Sequence, residues 1–87
     1  MLGNKIFVLG KVNKPGEYVA NSYVDVVQAL AMAGGLAPFA AVNDIKVLRR
    51  DENGFQKALP FKYGDVEEGK ALNQNVMLQT VDEVVVP

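Results

Sequence analysis

The chain has 87 residues, of which nine are basic and ten acidic, with a net charge of -1. This length allows one domain rather than two, and the mixed charges offer no basic surface for a nucleic-acid backbone. The chain has no cysteine and no histidine, which excludes thiolate and imidazole chemistry and the usual zinc ligands. We therefore expect a non-catalytic domain without cofactor, metal or nucleic-acid partner.

The first segment predicts a hairpin. Apolar residues alternate along residues 5–12, as in a strand near the middle of a sheet. Pro15 and Gly16 hold the second and third positions of a predicted type II turn over residues 14–17, where a fixed negative φ precedes a positive one. Residues 18–20 return as a short second strand.

A helix is predicted next, over residues 23–33. The Ser22 hydroxyl can cap its first turn, with Asp25 reaching back to the Ser22 amide. Gly34 and Gly35 end the helix, because glycine takes the left-handed conformation at little cost. The apolar residues at helical spacing predict the buried stripe, which consists of Val24, Val27, Leu30 and Ala31.

The middle of the chain predicts a second hairpin. Leu36 and Phe39 lie in an apolar connection and are expected to cover the core. Residues 45–50 alternate as a strand, residues 51–54 form a tight turn closed by an Asn-Gly pair, and residues 55–61 return antiparallel.

The last part predicts an irregular crossing and a final strand. Residues 62–75 are polar, with one helical turn expected within residues 65–69. A turn at residues 80–82 precedes the β-branched run at residues 83–86, which suits a central strand. This order of elements predicts an α+β fold of the β-grasp type, a ubiquitin-like roll with one main helix packed across a mixed sheet.

Several stretches of the chain carry a resemblance to a known family. They are GKVNKPG at residues 10–16, Asp25 with ALAMAGGL at residues 29–36, IKVLRR at residues 45–50 and LQTVDEVVVP at residues 78–87. In order and spacing they resemble the soluble-ligand-binding β-grasp (SLBB) domain of bacterial polysaccharide export proteins. That family usually has Pro-Gly-Asp where this chain has Thr80-Val81-Asp82. Because valine does not adopt a positive φ cheaply, we expect a different turn type there.

The resemblance implies one SLBB-type domain over residues 5–87, with residues 1–4 as a start residue and flanking segment, and we expect a fragment of a larger export protein. It implies a place on the periplasmic side of the outer membrane, where homo-oligomeric rings enclose a passage for capsular or extracellular polysaccharide. The implied partners are polysaccharide, neighbouring subunits and other domains of the same protein. Since no apolar run approaches about 20 residues, we expect no direct membrane insertion.

Five residues are candidate ligand contacts. Asn13 and Lys14 lie beside the predicted turn, and rigid loop tips favour contacts, although turn chemistry alone also explains the asparagine. Tyr18 offers an apolar ring with a polar edge for stacking on a sugar, or is partly buried. Lys46 and Arg50 share one strand face and suit an acidic polysaccharide; the alternative is a solvated strand edge.

Two further charged features lie outside this set of five. Arg49 is expected to point away from Lys46 and Arg50. The acidic side chains of Asp65 and its neighbours fit a charged turn better than a calcium site or a catalytic acid and base.

Three classes of function remain open. The first is a binding and assembly module that contacts glycan or neighbouring subunits. The second is a purely structural, ubiquitin-like interaction domain without sugar binding, which an exposed apolar patch around Phe7, Leu9 and Phe39 would favour. The third is an enzyme, against which the lack of histidine, cysteine and paired carboxylates argues.

Overall fold

The computed structural model describes residues 4–20, 23–70 and 72–87. In these residues the chain forms a five-stranded mixed sheet with one main helix. The elements are β1 (Asn4–Gly10), β2 (Gly16–Ala20), α1 (Val26–Met32), β3 (Ile45–Arg50), β4 (Gln56–Phe61), α2 (Tyr63–Glu67), a 3-10 turn (Leu72–Gln74) and β5 (Glu83–Val86). The α+β fold predicted from the order of the elements is confirmed.

The strands follow the order β2-β1-β5-β3-β4 across the sheet. β5 lies at the centre, parallel to β1 and antiparallel to β3, so the interior positions predicted for β1 and β5 are confirmed. β3 is also an interior strand, because it pairs with both β5 and β4. The alternative of a sheet edge is therefore wrong for Lys46, which pairs with Pro60 of β4 and Val85 of β5, whereas the pairing of β3 with β5 ends at Leu48, before Arg50.

The core lies between α1 and the inner face of the sheet. Side chains along a strand point to alternate faces, so every second residue of β1, β3 and β5 enters this core. Each buried Val, Ile or Phe stabilises the fold by roughly 1.5–3 kcal/mol. The large apolar side chains buried there are Ile6, Val8, Val26, Ile45, Val47, Phe61, Leu78, Val84 and Val86. The outer face, turned away from α1, carries exposed Lys46 and Arg50.

The main helix begins later than predicted. Asp25 is its N-cap: the Asp25 carboxylate accepts from the Gln28 N–H at 2.8 Å, and the Gln28 side chain accepts from the Asp25 N–H at 2.9 Å. This reciprocal capping box satisfies two amides at the helix start. The predicted cap, Ser22, lies outside the described residues.

The later start changes which side chains face the core. Val24 is buried, but it precedes the helix and its carbonyl accepts from the Leu78 N–H at 2.8 Å. Ala31, predicted to be buried, is exposed and Val27 is half-buried. The buried helical residues are Val26, Ala29 and Leu30.

The two glycines after α1 end the helix as predicted. Gly34 and Gly35 have φ of 82° and 86°. The Gly35 N–H donates to the Leu30 carbonyl at 2.9 Å, and the Gly34 N–H donates to the Ala31 carbonyl at 3.0 Å. These two bonds define a Schellman motif, which satisfies the last carbonyls of the helix.

The two hairpin turns differ from prediction in detail. Gly16 has a φ of 154° and already pairs with Val8 as the first residue of β2, so it is not the third residue of a type II turn. In the second turn only Gly54 of the Asn-Gly pair has a positive φ, 84°. That turn is held by the Asp51 carboxylate, which accepts from the Phe55 N–H at 3.0 Å.

Two residues occupy backbone conformations that the sequence did not predict. Val81 has a φ of 60°, so the expectation that it avoids a positive φ is wrong. Its N–H donates to the Lys5 carbonyl, which fixes the segment before β5 against β1. Phe39 has a φ of 67° and is 97% exposed, so it does not cover the core, whereas Leu36 does pack against the core.

Candidate functional site

The loop between β1 and β2 is fastened to the end of α1. The Asn13 N–H donates to the Gly35 carbonyl at 3.1 Å, and the Asn13 side-chain amide donates to the Gly34 carbonyl at 2.7 Å. The Lys14 N–H donates to the Ala33 carbonyl at 2.8 Å. Asn13 and Lys14 are both exposed, so the loop presents them to solvent from a backbone held in place.

Tyr18 lies beside this loop. It is half-buried and packs against the core, and its hydroxyl donates to the Lys14 carbonyl. The structure therefore brings Asn13, Lys14 and Tyr18 together in what we call the loop–tyrosine surface. The position of the Tyr18 ring depends on the hydrogen bond from its hydroxyl to the loop, and sequence periodicity does not reveal that bond.

Lys46 and Arg50 lie apart from the loop–tyrosine surface and from each other. Both are on the outer face of the sheet, as predicted from strand alternation. Lys46 and Arg50 are four positions apart along the strand, a distance of roughly 13 Å. The Arg50 guanidinium bends over its own turn and donates to the Gly54 carbonyl at 2.7 Å. The five predicted residues thus form one group of three and two separate cations.

A concavity of about 170 Å³ opens on the outer face of the sheet. Its lining, mostly apolar surface, is formed by Asp44, Lys46, Leu48, Val85 and Pro87. We call it the outer-face concavity. Sequence reasoning identified Lys46 but missed the apolar residues. The sequence signal that could have indicated this concavity was Leu48, an apolar residue between Lys46 and Arg50 on one face of β3.

Arg49 points to the opposite face, as predicted, and its partner is Asp82. Asp82 is 2% exposed, and Arg49 Nη2 lies 2.8 Å from Asp82 Oδ2 while Nε contacts both carboxylate oxygens at 3.2–3.3 Å. The Gln79 N–H also donates to this carboxylate at 2.8 Å, and Arg49 Nη2 donates to the Met77 carbonyl at 3.0 Å. This pair is structural, since its hydrogen-bonding groups face each other and the backbone.

The acidic segment forms a short helix. α2 spans Tyr63–Glu67, slightly earlier than the helical turn predicted within residues 65–69. Glu68 forms a surface ion pair with Lys70 at 3.2 Å. Among the described residues no three side chains of the metal-binding types are grouped to hold an ion. No described helix has the length and apolar character needed to cross a membrane.

A family model describing the SLBB domain matches residues 5–56, more than half of the chain. The match covers β1, β2, α1, β3 and the turn that follows. The chain belongs to the SLBB family. None of the curated proteins compared with the chain matches it.

The SLBB domain is a soluble ligand-binding domain and not a catalytic family. The matched segment contains all five residues predicted to contact a ligand. Ligand contact by each of them stays a prediction. The Arg49 partner, Asp82, lies beyond the matched segment of this SLBB domain.

Proposed function

We propose that this SLBB domain is a non-catalytic module of a bacterial polysaccharide export protein, located on the periplasmic side of the outer membrane. It contacts glycan and neighbouring subunits and transforms neither. Membership of a ligand-binding family supports the binding role. The resemblance of residues 78–87, together with the earlier motifs, to export proteins supports glycan as the ligand.

The loop–tyrosine surface is the observation that carries the glycan contact. Hydrogen bonds to the helix end hold Asn13 and Lys14, and a further one orients the Tyr18 ring. A surface ordered before binding loses little conformational entropy when a ligand arrives. A tyrosine that shares a loop surface with an exposed lysine and an exposed asparagine suits a sugar, which has apolar faces and polar edges.

The contact is expected to be weak. The surface is open and offers few polar side chains, so a dissociation constant of about a millimolar, or about -4 kcal/mol, is the appropriate scale. Weak contact suits a domain over which a long polymer must move, because tight binding would hold the polymer in place. Acidic polymers should bind better than neutral ones, because Lys14 supplies a positive charge.

An amide chemical-shift titration with neutral and acidic oligosaccharides tests this proposal. Shifts concentrated at Asn13, Lys14 and Tyr18 support it. Lys14→Ala should remove the preference for acidic sugar, whereas Lys57→Ala, a control at an exposed lysine of β4, should leave it unchanged. If millimolar sugar causes no localised shift, the glycan contact is contradicted and only the assembly role remains.

A purely structural interaction domain is the second candidate. The outer-face concavity favours it, because an apolar depression on a sheet face suits a protein side chain better than a polar sugar. The two candidates differ in where changes occur. Added sugar perturbs the loop–tyrosine surface under the first candidate and leaves it unchanged under the second, whereas a protein contact at Leu48 and Val85 is compatible with both.

A further inference from the structure

Phe39 combines two unfavourable features. Its side chain is 97% exposed, and its backbone lies in the left-handed region at a φ of 67°. A residue with a side chain adopts this region only at an energetic cost, and such strain concentrates at functional positions. Within the described chain almost nothing packs against the ring. A contact from outside the described residues would explain both features.

The outer-face concavity has the size and lining to receive an aromatic ring. A cavity of about 150 Å³ lined by aliphatic side chains accommodates benzene, and the volume here is about 170 Å³. Leu48, Val85 and Pro87 provide apolar contacts. Lys46 also lines the concavity, and an ammonium beside a ring face adds a cation–π attraction.

The ring and the concavity belong to neighbouring parts of one chain, yet they do not meet within it. The loop that carries Phe39 is joined to the chain end, where the Ala41 N–H donates to the Pro87 carbonyl at 2.8 Å. Pro87 and Asp44, whose N–H donates to the Ala41 carbonyl at 3.0 Å, both line the concavity. An intramolecular insertion would bury the Phe39 ring, and the ring is exposed.

We propose that the Phe39 ring of one copy of this chain inserts into the outer-face concavity of a second copy. The volume and apolar lining of the concavity match a phenyl ring. Phe39 is an exposed phenyl ring that every copy of this chain carries, so a second copy can supply the occupant. The contact deepens the assembly part of the proposed function. Its tests contain no sugar, so failure of this contact and failure of glycan binding give separate results.

Self-association measured by amide shifts and by sedimentation, from micromolar to millimolar protein, tests the contact. Concentration-dependent shifts should appear at Phe39, Leu48 and Val85. Phe39→Ala should weaken association by roughly thirtyfold or more, as for truncation of an aromatic hot spot. The matched control is Phe55→Ala, at a phenylalanine that is 71% exposed and lies outside the concavity; it should leave association unchanged.

A mixing experiment then separates the ring from its receptor. Val85→Phe places a larger side chain in the lining of the concavity and leaves Phe39 intact. Lys46→Glu is a second variant of the concavity, at an exposed position outside the core. Each variant alone should associate weakly. A mixture of Phe39→Ala with wild-type protein should still form a mixed pair, because the variant keeps an intact concavity.

Three results would overturn the contact. One is no concentration-dependent shift at Phe39 or Val85 at millimolar protein. Another is equal effects of Phe39→Ala and Phe55→Ala on association. The third concerns a mixture of Phe39→Ala with Lys46→Glu, in which the Lys46→Glu chain supplies the ring and the Phe39→Ala chain supplies an unaltered concavity. If this mixed pair forms no better than either variant pairs with itself, the contact is wrong.

Discussion

The partly buried guanidinium of Arg49 and the buried carboxylate of Asp82 form an ion pair, with Nη2 2.8 Å from Oδ2. The pair ties the end of β3 to the residue before β5, across 33 residues of sequence. The Asp82 carbonyl also accepts from the Phe7 N–H at 3.0 Å, so the same residue reaches β1. One short segment thereby joins three adjacent strands.

Removal of one partner of this pair should strongly destabilise the domain. Asp82→Ala leaves the Arg49 charge partly buried without its carboxylate and the Gln79 amide without its acceptor, so we expect a loss of roughly 3–5 kcal/mol. Denaturant unfolding measures it. Glu17→Ala is the control, because the Lys5–Glu17 pair at 3.5 Å is half exposed and should contribute at most about 1 kcal/mol. Equal losses would contradict a special role for Asp82.

Val81→Gly should stabilise the domain. Glycine relieves the left-handed strain at a φ of 60°, and the expected gain is about 1 kcal/mol after the added flexibility of the unfolded chain. Val19→Gly is the comparison, because Val19 is also exposed but lies in β2 without a positive φ. Val19→Gly should destabilise the domain. We therefore expect the melting temperature to rise for Val81→Gly and to fall for Val19→Gly.

Phe39→Gly should raise the stability of the monomer while it weakens self-association. The change relieves strain at a φ of 67°, worth about 1 kcal/mol, and removes the ring proposed to insert into a second copy. Thermal unfolding at low protein concentration measures the first effect, and sedimentation at high concentration measures the second. A loss of monomer stability would mean that the Phe39 ring packs within its own chain.

Gly10→Ala should be far more damaging than an alanine at another glycine of positive φ. A Cβ at Gly10 would lie 2.0 Å from the Val86 carbonyl oxygen, so the β1–β5 pairing would have to shift. We expect the free energy of unfolding to fall by more than about 3 kcal/mol. Gly69→Ala, at a φ of 81° with open space around it, should cost only about 1 kcal/mol of backbone strain. Circular dichroism and denaturant unfolding compare the two.

Local sequence patterns were sufficient to predict the main helix and the principal strands, and the ends of some of them. Alternation predicted β3 with its observed bounds, and the Gly34-Gly35 pair predicted the helix end, because both depend on residues close in sequence. The helix start was placed too early. Serine and aspartate are both common capping residue types, and the sequence around them does not show that the Val24 carbonyl accepts from the distant Leu78 N–H just before the helix.

The candidate sites were only partly predictable for the same physical reason. Alternation shows which face a side chain takes, and so it placed Lys46 and Arg50 on one face and Arg49 on the other. It does not show which strand lies alongside, and so it missed Asp82 as the partner of Arg49.

Tertiary structure alone decided the features that depend on residues distant in sequence. It made β3 an interior strand, assembled the outer-face concavity from β3, β5 and Pro87, and joined Asn13 and Lys14 to the end of α1. It also placed Val81 at a positive φ, where its N–H meets the Lys5 carbonyl of β1. The sequence determines the conformational preference of each residue, and long-range pairing can override that preference when hydrogen bonds and burial outweigh about 1–3 kcal/mol of local strain.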